Sequence, residues 1–317
     1  MSVGIGPERA DGADGDTQPA DSGPLVEVEG LGKRFPSRRN VFGKVVEHNY
    51  AVRGVGFAIE RGETLGIVGE TGAGKSTVGR MVLRLVEPDT GSVRLFGQDV
   101  LSLQGRELRA VRQRAQMIFQ DPFSSLDPRM LIRDQVGEPF TVHHGLRGKE
   151  RDELVVGLLE RVGMRSDHLD RYPREFSGGQ LQRIAIARAL ATDPEVIVCD
   201  EPVAALDVSI QAQVLNLLLD LQAERGIGFL FISHDLSLVR FLAQRTAVMQ
   251  RGEIVEIGPT EKLFTDPEHE YTRQLVSAIP SAKPRRSRRA VRTTQQSMAA
   301  VIPVDGSPES VSVEARW

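Results

Sequence analysis

A glycine-rich segment with a lysine and two hydroxyl residues lies between a short apolar run and a helix-period pattern. It reads TLGIVGETGAGKST and contains the spacing GxxxxGK[ST]. Glycines allow the backbone to curl so that successive N–H groups face phosphate oxygens, and the following helix N-terminus adds a favourable dipole. Lys75 would then bridge the β- and γ-phosphates, and the Ser76 hydroxyl would ligate Mg²⁺. The pattern predicts a nucleoside triphosphate site made by Gly69, Glu70, Thr71, Gly72, Ala73, Gly74, Lys75, Ser76 and Thr77.

Two consecutive carboxylates follow a second apolar run. The segment EVIVCDEP is a predicted hydrophobic strand that ends in Asp200 and Glu201. In open α/β sheets, ligands bind at the carboxyl ends of the strands, so these side chains are expected beside the phosphate loop. Asp200 would hold Mg²⁺, and Glu201 would orient or deprotonate the attacking water. An ordinary acidic strand end is the simpler alternative, and the accompanying phosphate-loop pattern argues against it.

A third motif, FSGGQ, opens another predicted helix, whose apolar residues recur with helical period as far as Ala191. Backbone N–H groups at a helix start favour an anion, and a serine hydroxyl there adds a further polar group. We therefore predict a second phosphate-binding segment, formed by Ser177, Gly178, Gly179 and Gln180.

Strand and helix patterns alternate along the chain, which favours an α/β fold with a parallel, doubly wound sheet. One amphipathic helix near Lys149–Val162 is expected to bury Leu154, Val155, Leu158 and Leu159. A basic, glycine-containing stretch, Pro36–Asn49, is predicted to be an irregular loop, and a hairpin is predicted over 245–258. Further strands are predicted at Leu25–Gly30, Tyr50–Ile59, Gly91–Val100, Ala115–Gln120 and Gly226–Ser233, and further helices at Arg106–Arg114 and Ile210–Glu224.

Composition limits the class of protein. The chain has 317 residues, of which 40% are hydrophobic and 26% charged, as in soluble globular proteins. A net charge of −3 gives no reason to expect a nucleic-acid partner, and one cysteine excludes a disulfide framework. No apolar run reaches the roughly 18 residues of a transmembrane helix, and no signal pattern opens the chain, so we expect a cytosolic setting. Residues 1–24 and the initially basic residues 281–317 are predicted to be disordered tails.

With these motifs in this order, the chain resembles an ABC-transporter ATPase subunit over about residues 25–280. The resemblance implies a P-loop ABC ATPase fold: a parallel-sheet core, an antiparallel β subdomain and an inserted helical subdomain at about 121–180. It further implies that Gln120 links the Mg²⁺ site to a transmembrane partner and that His234 contacts the γ-phosphate. Asp207 would lie at a dimer seam, where Ala204 replaces the serine of many relatives. An aromatic residue stacks on adenine in this family; Phe35 is the first candidate and Tyr50 the second.

Several stretches are similar to one branch, the dipeptide/oligopeptide importer ATPases: MIFQDPFSSLDPRM, DEPVAALDVSIQAQVLNLL and IVEIGPTEKLFTDPEHEYTRQLVSAIP. Some members of that branch continue into a cysteine-bearing iron–sulfur segment. Residues 281–317 contain no cysteine, so no such cluster is expected there.

The resemblance implies an ATPase that uses ATP and Mg²⁺ to drive solute uptake. Its partners would be two permease subunits, a second ABC ATPase subunit in a hetero- or homodimer, and an extracellular solute-binding protein, on the cytoplasmic face of the cell membrane. Three alternatives remain: a non-transport ABC ATPase of DNA repair or translation, an importer of nickel or another small solute, and a regulatory subunit without turnover. Lys75, Asp200, Glu201 and His234 are all present, which argues against the last.

Overall fold

The computed structural model describes residues 23–39 and 45–279, whose regular structure consists of two β-sheets, ten α-helices and two short 3₁₀-helices, Ser166–His168 and Pro173–Glu175. The strands are β1 (Val26–Arg39), β2 (Val45–Ile59), β3 (Thr64–Val68), β4 (Thr90–Leu95), β5 (Gln98–Asp99), β6 (Ala115–Ile118), β7 (Val196–Asp200), β8 (Gly228–Ser233), β9 (Arg245–Gln250) and β10 (Glu253–Pro259). The helices are α1 (Lys75–Val82), α2 (Gly105–Arg114), α3 (Pro122–Ser125), α4 (Ile132–His144), α5 (Gly148–Arg161), α6 (Gly178–Leu190), α7 (Val208–Arg225), α8 (Leu236–Leu242), α9 (Thr260–Thr265) and α10 (Glu270–Ser277).

The six-stranded central sheet has the order β10-β9-β3-β8-β7-β6, and all neighbours are parallel except β10 and β9. Every residue of β3, β7 and β8 is buried. Side chains alternate between two apolar clusters: Leu65, Val198 and Ile232 join one, and Val68, Cys199 and Phe231 join the other. Strand residues point alternately to opposite faces, so this division confirms a sheet covered on both sides.

Helices approach the two faces at glycines. A Cβ added to Gly79 of α1 would lie 2.8 Å from Ile232 Cδ1 and 2.9 Å from Val198 Cγ1, so α1 packs directly on β7 and β8. A Cβ on Gly66 of β3 would collide with Val239 of α8 on the other face. The contact at Gly79 holds α1, and the loop before it, at the carboxyl edge of the sheet, and the contact at Gly66 holds α8 on the opposite face.

A second, antiparallel sheet has the order β2-β1-β4-β5, which confirms the predicted antiparallel β region. The prediction of an irregular loop over Pro36–Asn49 was wrong at both ends of that segment. There β1 and β2 continue as a two-stranded ribbon in which Pro36 pairs with His48. Beyond Gly32, β1 no longer pairs with β4, and a proline is tolerated where one side of a strand is unpaired.

Between β6 and β7 the chain is mainly helical. Helix α4 is not predicted from the sequence, because Gly137 and Pro139 within it are residues that favour turns. Buried Ile132 and Val136 hold this helix in the core in spite of the internal proline. In α5 the prediction that Leu154 is buried was wrong, since its side chain is 43% exposed.

The hairpin predicted over 245–258 is confirmed as β9 and β10. Its two-residue turn uses φ of 47° at Arg251 and 89° at Gly252, as a tight hairpin turn requires. The tail predicted over residues 1–24, except its last two residues, and the tail predicted over 281–317 lie outside the described residues.

Candidate nucleotide-binding site

The loop between β3 and α1 has a backbone that only glycine adopts easily. The φ angles are 150° at Gly69, 85° at Gly72 and 104° at Gly74, all on the left-handed side of the map. A Cβ on Gly69 would collide with the carbonyl oxygen of Met249, and one on Gly74 with that of Ala51. The glycine spacing is therefore required by the close approach of β9 and β2 as well as by the curl of the loop.

Lys75 is the first residue of α1 and is 4% exposed. Its Nζ donates to the carbonyl oxygens of Gly69 at 2.8 Å and Glu70 at 2.9 Å. An ammonium group has three donors, so one N–H remains for an anion in the cavity that Lys75 lines. Burial lowers the pKa of Lys75, and the charges of Glu201 and Asp200 oppose that shift.

Ser76 and Asp200 meet across two adjoining elements. The Ser76 hydroxyl donates to Asp200 Oδ1 at 2.6 Å, and the Arg80 guanidinium lies 3.7 Å from Oδ2. Asp200 is 1% exposed, and this burial raises its pKa against the opposing effects of the Ser76 bond and the Arg80 charge. A hydroxyl and a carboxylate at one place are the hard oxygen ligands that Mg²⁺ prefers, so these two residues fit the expected ion.

Glu201 is held from two sides. Gln120 Nε2 donates to Glu201 Oε2 at 3.0 Å, and His234 Nδ1 lies 3.2 Å from Oε1. The backbone of Glu201 has φ of 48°, which is uncommon for a residue other than glycine and marks local strain. The ends of β6, β7 and β8 therefore converge on one carboxylate, as the parallel sheet predicts.

One cavity of about 720 Å³ is lined by Lys75, Ser76, Gln120, Glu201 and His234; Asp200 is not among its lining residues and is joined to it through its bond with Ser76. Tyr50 lines it, with the Arg53 guanidinium carbon 4.7 Å from its ring centroid, whereas Phe35 does not line it. The motifs did not indicate Arg53 or Arg251, because they belong to the antiparallel sheet and to the hairpin turn. The lining residues are Asn49, Tyr50, Ala51, Arg53, Thr71, Gly72, Gly74, Lys75, Ser76, Thr77, Gln120, Glu201, His234 and Arg251.

The FSGGQ segment lies at a separate cavity of about 510 Å³. Ser177 caps α6, and its backbone N–H donates to Gln180 Oε1 at 3.0 Å, which completes a capping box. Gly179 packs so closely on α7 that an added Cβ would lie 2.6 Å from Ile210 Cγ2. Within this chain, neither Ser177–Gln180 nor Asp207 lines the cavity of the phosphate loop.

Asp207 caps the N-terminus of α7. Its Oδ1 accepts the Ser209 hydroxyl at 2.7 Å and the Ile210 N–H at 3.0 Å, and these bonds lower the pKa of the carboxyl group. The side chain is exposed at the entry to the helix, where a second protein could reach it.

Tyr271 contacts the phosphate loop from α10, although no motif marked it. Its hydroxyl accepts the backbone N–H of Glu70 at 3.2 Å, across 201 residues of sequence. The side chain is 5% exposed. Only the fold brings these two residues together, so the contact could not be predicted from their spacing.

None of the helices that the structure describes between Gly23 and Ile279 has both the length and the apolar composition needed to cross a bilayer.

The buried parallel sheet, the phosphate loop at its carboxyl edge, the convergence on Glu201 and the separate SGGQ helix start define a P-loop ATPase domain of the ABC type. Residues 52–204 belong to the ABC-transporter family, since they match the family model described as ABC transporter. Residues 255–304 match the model described as the oligopeptide/dipeptide transporter C-terminal region, which identifies the branch.

Curated relatives carry the same cassette. The chain is 50% identical over 274 residues to the "Glutathione import ATP-binding protein GsiA" of Pectobacterium atrosepticum, with 86% of this chain and 44% of the relative covered. It is 52% identical over 268 residues to the protein of the same name from Escherichia coli strain K12, with 84% and 43% covered. The chain therefore spans less than half the length of these relatives.

Solved structures agree with this fold. The dimeric post-hydrolysis state of the ATP-binding cassette MJ0796, bound to ADP and Pi, matches with a TM-score of 0.67 and 28% identity, over 74% of this chain and 99% of that one. The cbiO1 protein from Clostridium perfringens, part of the ABC transporter complex cbiONQ, matches with a TM-score of 0.64 and 26% identity, over 81% and 96%.

Proposed function

We propose that this chain is the ATP-hydrolysing subunit of an ABC importer for di- or oligopeptides. One observation carries the catalytic part of the proposal: Glu201 lies in the cavity of the phosphate loop with Gln120 Nε2 and His234 Nδ1 on its two oxygens. A carboxylate held in this way can orient or deprotonate a water for attack on a phosphate.

The other residues supply binding and charge. The free N–H of Lys75 would contact the β- and γ-phosphates, and Tyr50, rather than Phe35, would stack on adenine because it lines the cavity. Ser76 and Asp200 would hold Mg²⁺, with Gln120 near it, and the bound ion neutralises phosphate charge. His234 would contact the γ-phosphate and keep Glu201 in place.

The peptide class is supported by the match at residues 255–304 and by the names of the relatives. Those names refer to glutathione, which is a tripeptide and so belongs to the peptide class of solute that is proposed here. The same support favours transport over the DNA-repair and translation alternatives. Nickel or another small solute is the competing cargo, and direct uptake distinguishes it.

Docking to two permeases on the cytoplasmic face of the membrane is supported by a second groove, of about 310 Å³. The groove lies between the central sheet and the helical segment that starts after Gln120, and its lining includes Leu85, Phe119, Pro139 and Arg188. Leu85 is 47% exposed, so the groove offers apolar surface to a partner. A second ATPase subunit and an extracellular solute-binding protein complete the proposed system.

The experiment is uptake into proteoliposomes that contain this chain with two permease subunits and a second ABC ATPase subunit from the same organism. Labelled glutathione, a dipeptide and Ni²⁺ are supplied separately together with a solute-binding protein, and ATP is supplied on the side of the ATPase. We expect ATP-dependent uptake of a peptide and none with the Lys75→Ala variant. Uptake of Ni²⁺ alone would contradict the peptide class, and absence of ATP hydrolysis in the assembled complex would contradict the ATPase assignment.

A further inference from the structure

The peptide bond between Gly69 and Glu70 is held at both of its polar ends. Its carbonyl oxygen, on Gly69, accepts Lys75 Nζ at 2.8 Å, and its N–H, on Glu70, donates to the Tyr271 hydroxyl at 3.2 Å. The rotation of this peptide is set by ψ of Gly69 and φ of Glu70, and Gly69 lacks the Cβ that limits ψ in other residues, so it restrains the peptide weakly. The two hydrogen bonds, one at each polar end, hold the carbonyl toward Lys75 Nζ.

Tyr271 is itself firmly placed. His269 caps α10 and accepts the backbone N–H of Tyr271 at 3.2 Å. The Glu256 carboxylate, on β10, accepts the N–H groups of Glu268 at 2.9 Å and His269 at 3.0 Å. A continuous path of hydrogen bonds and backbone thus runs from the central sheet through the start of α10 to the phosphate loop.

The Tyr271 hydroxyl is suited to accept rather than to ionise. Its side chain is 5% exposed, and burial raises the pKa of Tyr271, so the group is neutral at physiological pH. The two hydrogen bonds of the Gly69–Glu70 peptide strengthen each other. A donor at the carbonyl oxygen makes the N–H a better donor, and an acceptor at the N–H makes the carbonyl oxygen a better acceptor.

We propose that Tyr271 is a positioning residue for ATP binding: it fixes the Gly69–Glu70 peptide, whose carbonyl orients the Lys75 ammonium toward the phosphates. The inference rests on the proposed nucleotide site and deepens it. It assigns a role at that site to the C-terminal region matched at residues 255–304, which contains Tyr271. A preorganised loop binds more tightly because less freedom is lost when the ligand arrives.

The first test is hydrogen exchange at the Glu70 amide in the nucleotide-free, full-length protein. The wild-type amide should be protected, and Tyr271→Phe, which removes only the hydroxyl, should accelerate its exchange at least about tenfold. Tyr172→Phe removes the same group from a tyrosine outside the cavity and should leave Glu70 unchanged. Rapid exchange of Glu70 in the wild type would overturn the proposal without any variant.

The second test measures the dissociation constant of Mg·ATP. We expect Tyr271→Phe to weaken ATP binding about 3- to 10-fold, as the loss of one buried hydrogen bond does, and Tyr172→Phe to change it less than twofold. In a Lys75→Ala background the same change at Tyr271 should have less than half its logarithmic effect, because the residue acts through Lys75.

The outcomes separate the two proposals. If the wild-type chain does not bind ATP, the proposed function is contradicted. If the wild type and Tyr271→Phe bind ATP with equal affinity, only the role of Tyr271 is overturned. If Tyr271→Phe weakens ATP binding equally in the wild-type and Lys75→Ala backgrounds, the role of Tyr271 is also overturned, since a merely structural tyrosine would act on the whole fold and not through Lys75.

Discussion

Glu201 is the residue on which hydrolysis is expected to depend most. Gln120 and His234 hold its two oxygens, so an amide at this position keeps the size and most of the contacts but cannot accept a proton. Glu201→Gln should therefore bind ATP within about twofold of the wild type and lose about 10²–10⁴-fold of its turnover. Steady-state phosphate release by the assembled complex and equilibrium ATP binding check the two halves of this prediction.

Glu153→Gln is the matched control, because it makes the same chemical change on the exposed side of α5, where the carboxylate pairs with Lys149 and with no other cation among the residues that the structure describes. Its turnover should equal that of the wild type. Near-normal hydrolysis by Glu201→Gln would show that another group activates the water.

Cys199 is the single cysteine of the chain, and the rate at which its thiol is modified reports how accessible the core is. Its thiol is fully buried in β7, and burial raises its pKa, so the reactive thiolate is scarce as well as inaccessible. A maleimide should label native protein more than about 100-fold slower than protein in denaturant, because labelling waits for opening of the sheet. Mass spectrometry against time measures this, and saturating Mg·ATP should slow it further. Fast labelling of the native chain would mean that β7 is accessible.

At the scale of single residues, the sequence predicted the groups whose chemistry requires a motif. The grouping of Lys75, Ser76, Asp200 and Glu201 in one place could be predicted because the strand, loop and helix around them have their own patterns. Tyr271 and Arg53 could not, since each reaches the site through tertiary contacts and has an ordinary local sequence. Which of Phe35 and Tyr50 faces the cavity also depends on the path of the β1–β2 ribbon, and the sequence predicts a loop there.

The segment from the end of β6 to α4 connects the site to the helical part of the chain. Gln120 contacts Glu201, the Ser125 carbonyl accepts the Arg188 guanidinium of α6, and the Asp127 N–H donates to Gln135 of α4 at 2.8 Å. Movement at the nucleotide would thus reach the proposed permease groove. Changes at Gln120, Ser125 or Asp127 should lower solute uptake per ATP hydrolysed more than they lower ATP affinity.

Equilibrium ATP binding, hydrolysis and uptake measured on the same variants test this. Ser102→Ala, in an exposed turn of the same chain, serves as the control for Ser125→Ala. A fall in affinity with unchanged uptake per ATP would mean that the segment only shapes the nucleotide site.

At the scale of elements, errors arose where packing overrides local preference. Helix α4 contains Pro139 and Gly137, which favour a turn, yet Ile132 and Val136 are buried against neighbouring helices and stabilise it. The amphipathic pattern of α5 was right in period, but the buried face centres on Val155 and Leu159. Periodicity indicates that a helix has an apolar face; only the neighbours determine how far that face extends.

For the whole molecule, the geometry separates the two segments that are predicted to bind phosphate. The loop Gly69–Ser76 forms one cavity and the segment Ser177–Gln180 lies at another, and each opens a helix with N–H groups suited to a phosphate. The family resemblance implies that the two meet only across a head-to-tail dimer. One chain then supplies two half-sites, and its activity should rise with its own concentration or with a sister ATPase.

Mixing two defective copies tests this arrangement. Lys75→Ala removes the ammonium from the phosphate loop, and Ser177→Arg removes the cap of α6 and fills the space before it; each homodimer should be nearly inactive. In a mixed dimer both lesions fall in one composite site and the other site is intact, so the mixture should recover activity that neither copy has alone. Phosphate release is measured against mixing ratio at concentrations that favour dimers, with each copy mixed with itself as the control. No recovery in a demonstrated mixed dimer, or full concentration-independent activity from a monomeric wild type, would contradict a shared site.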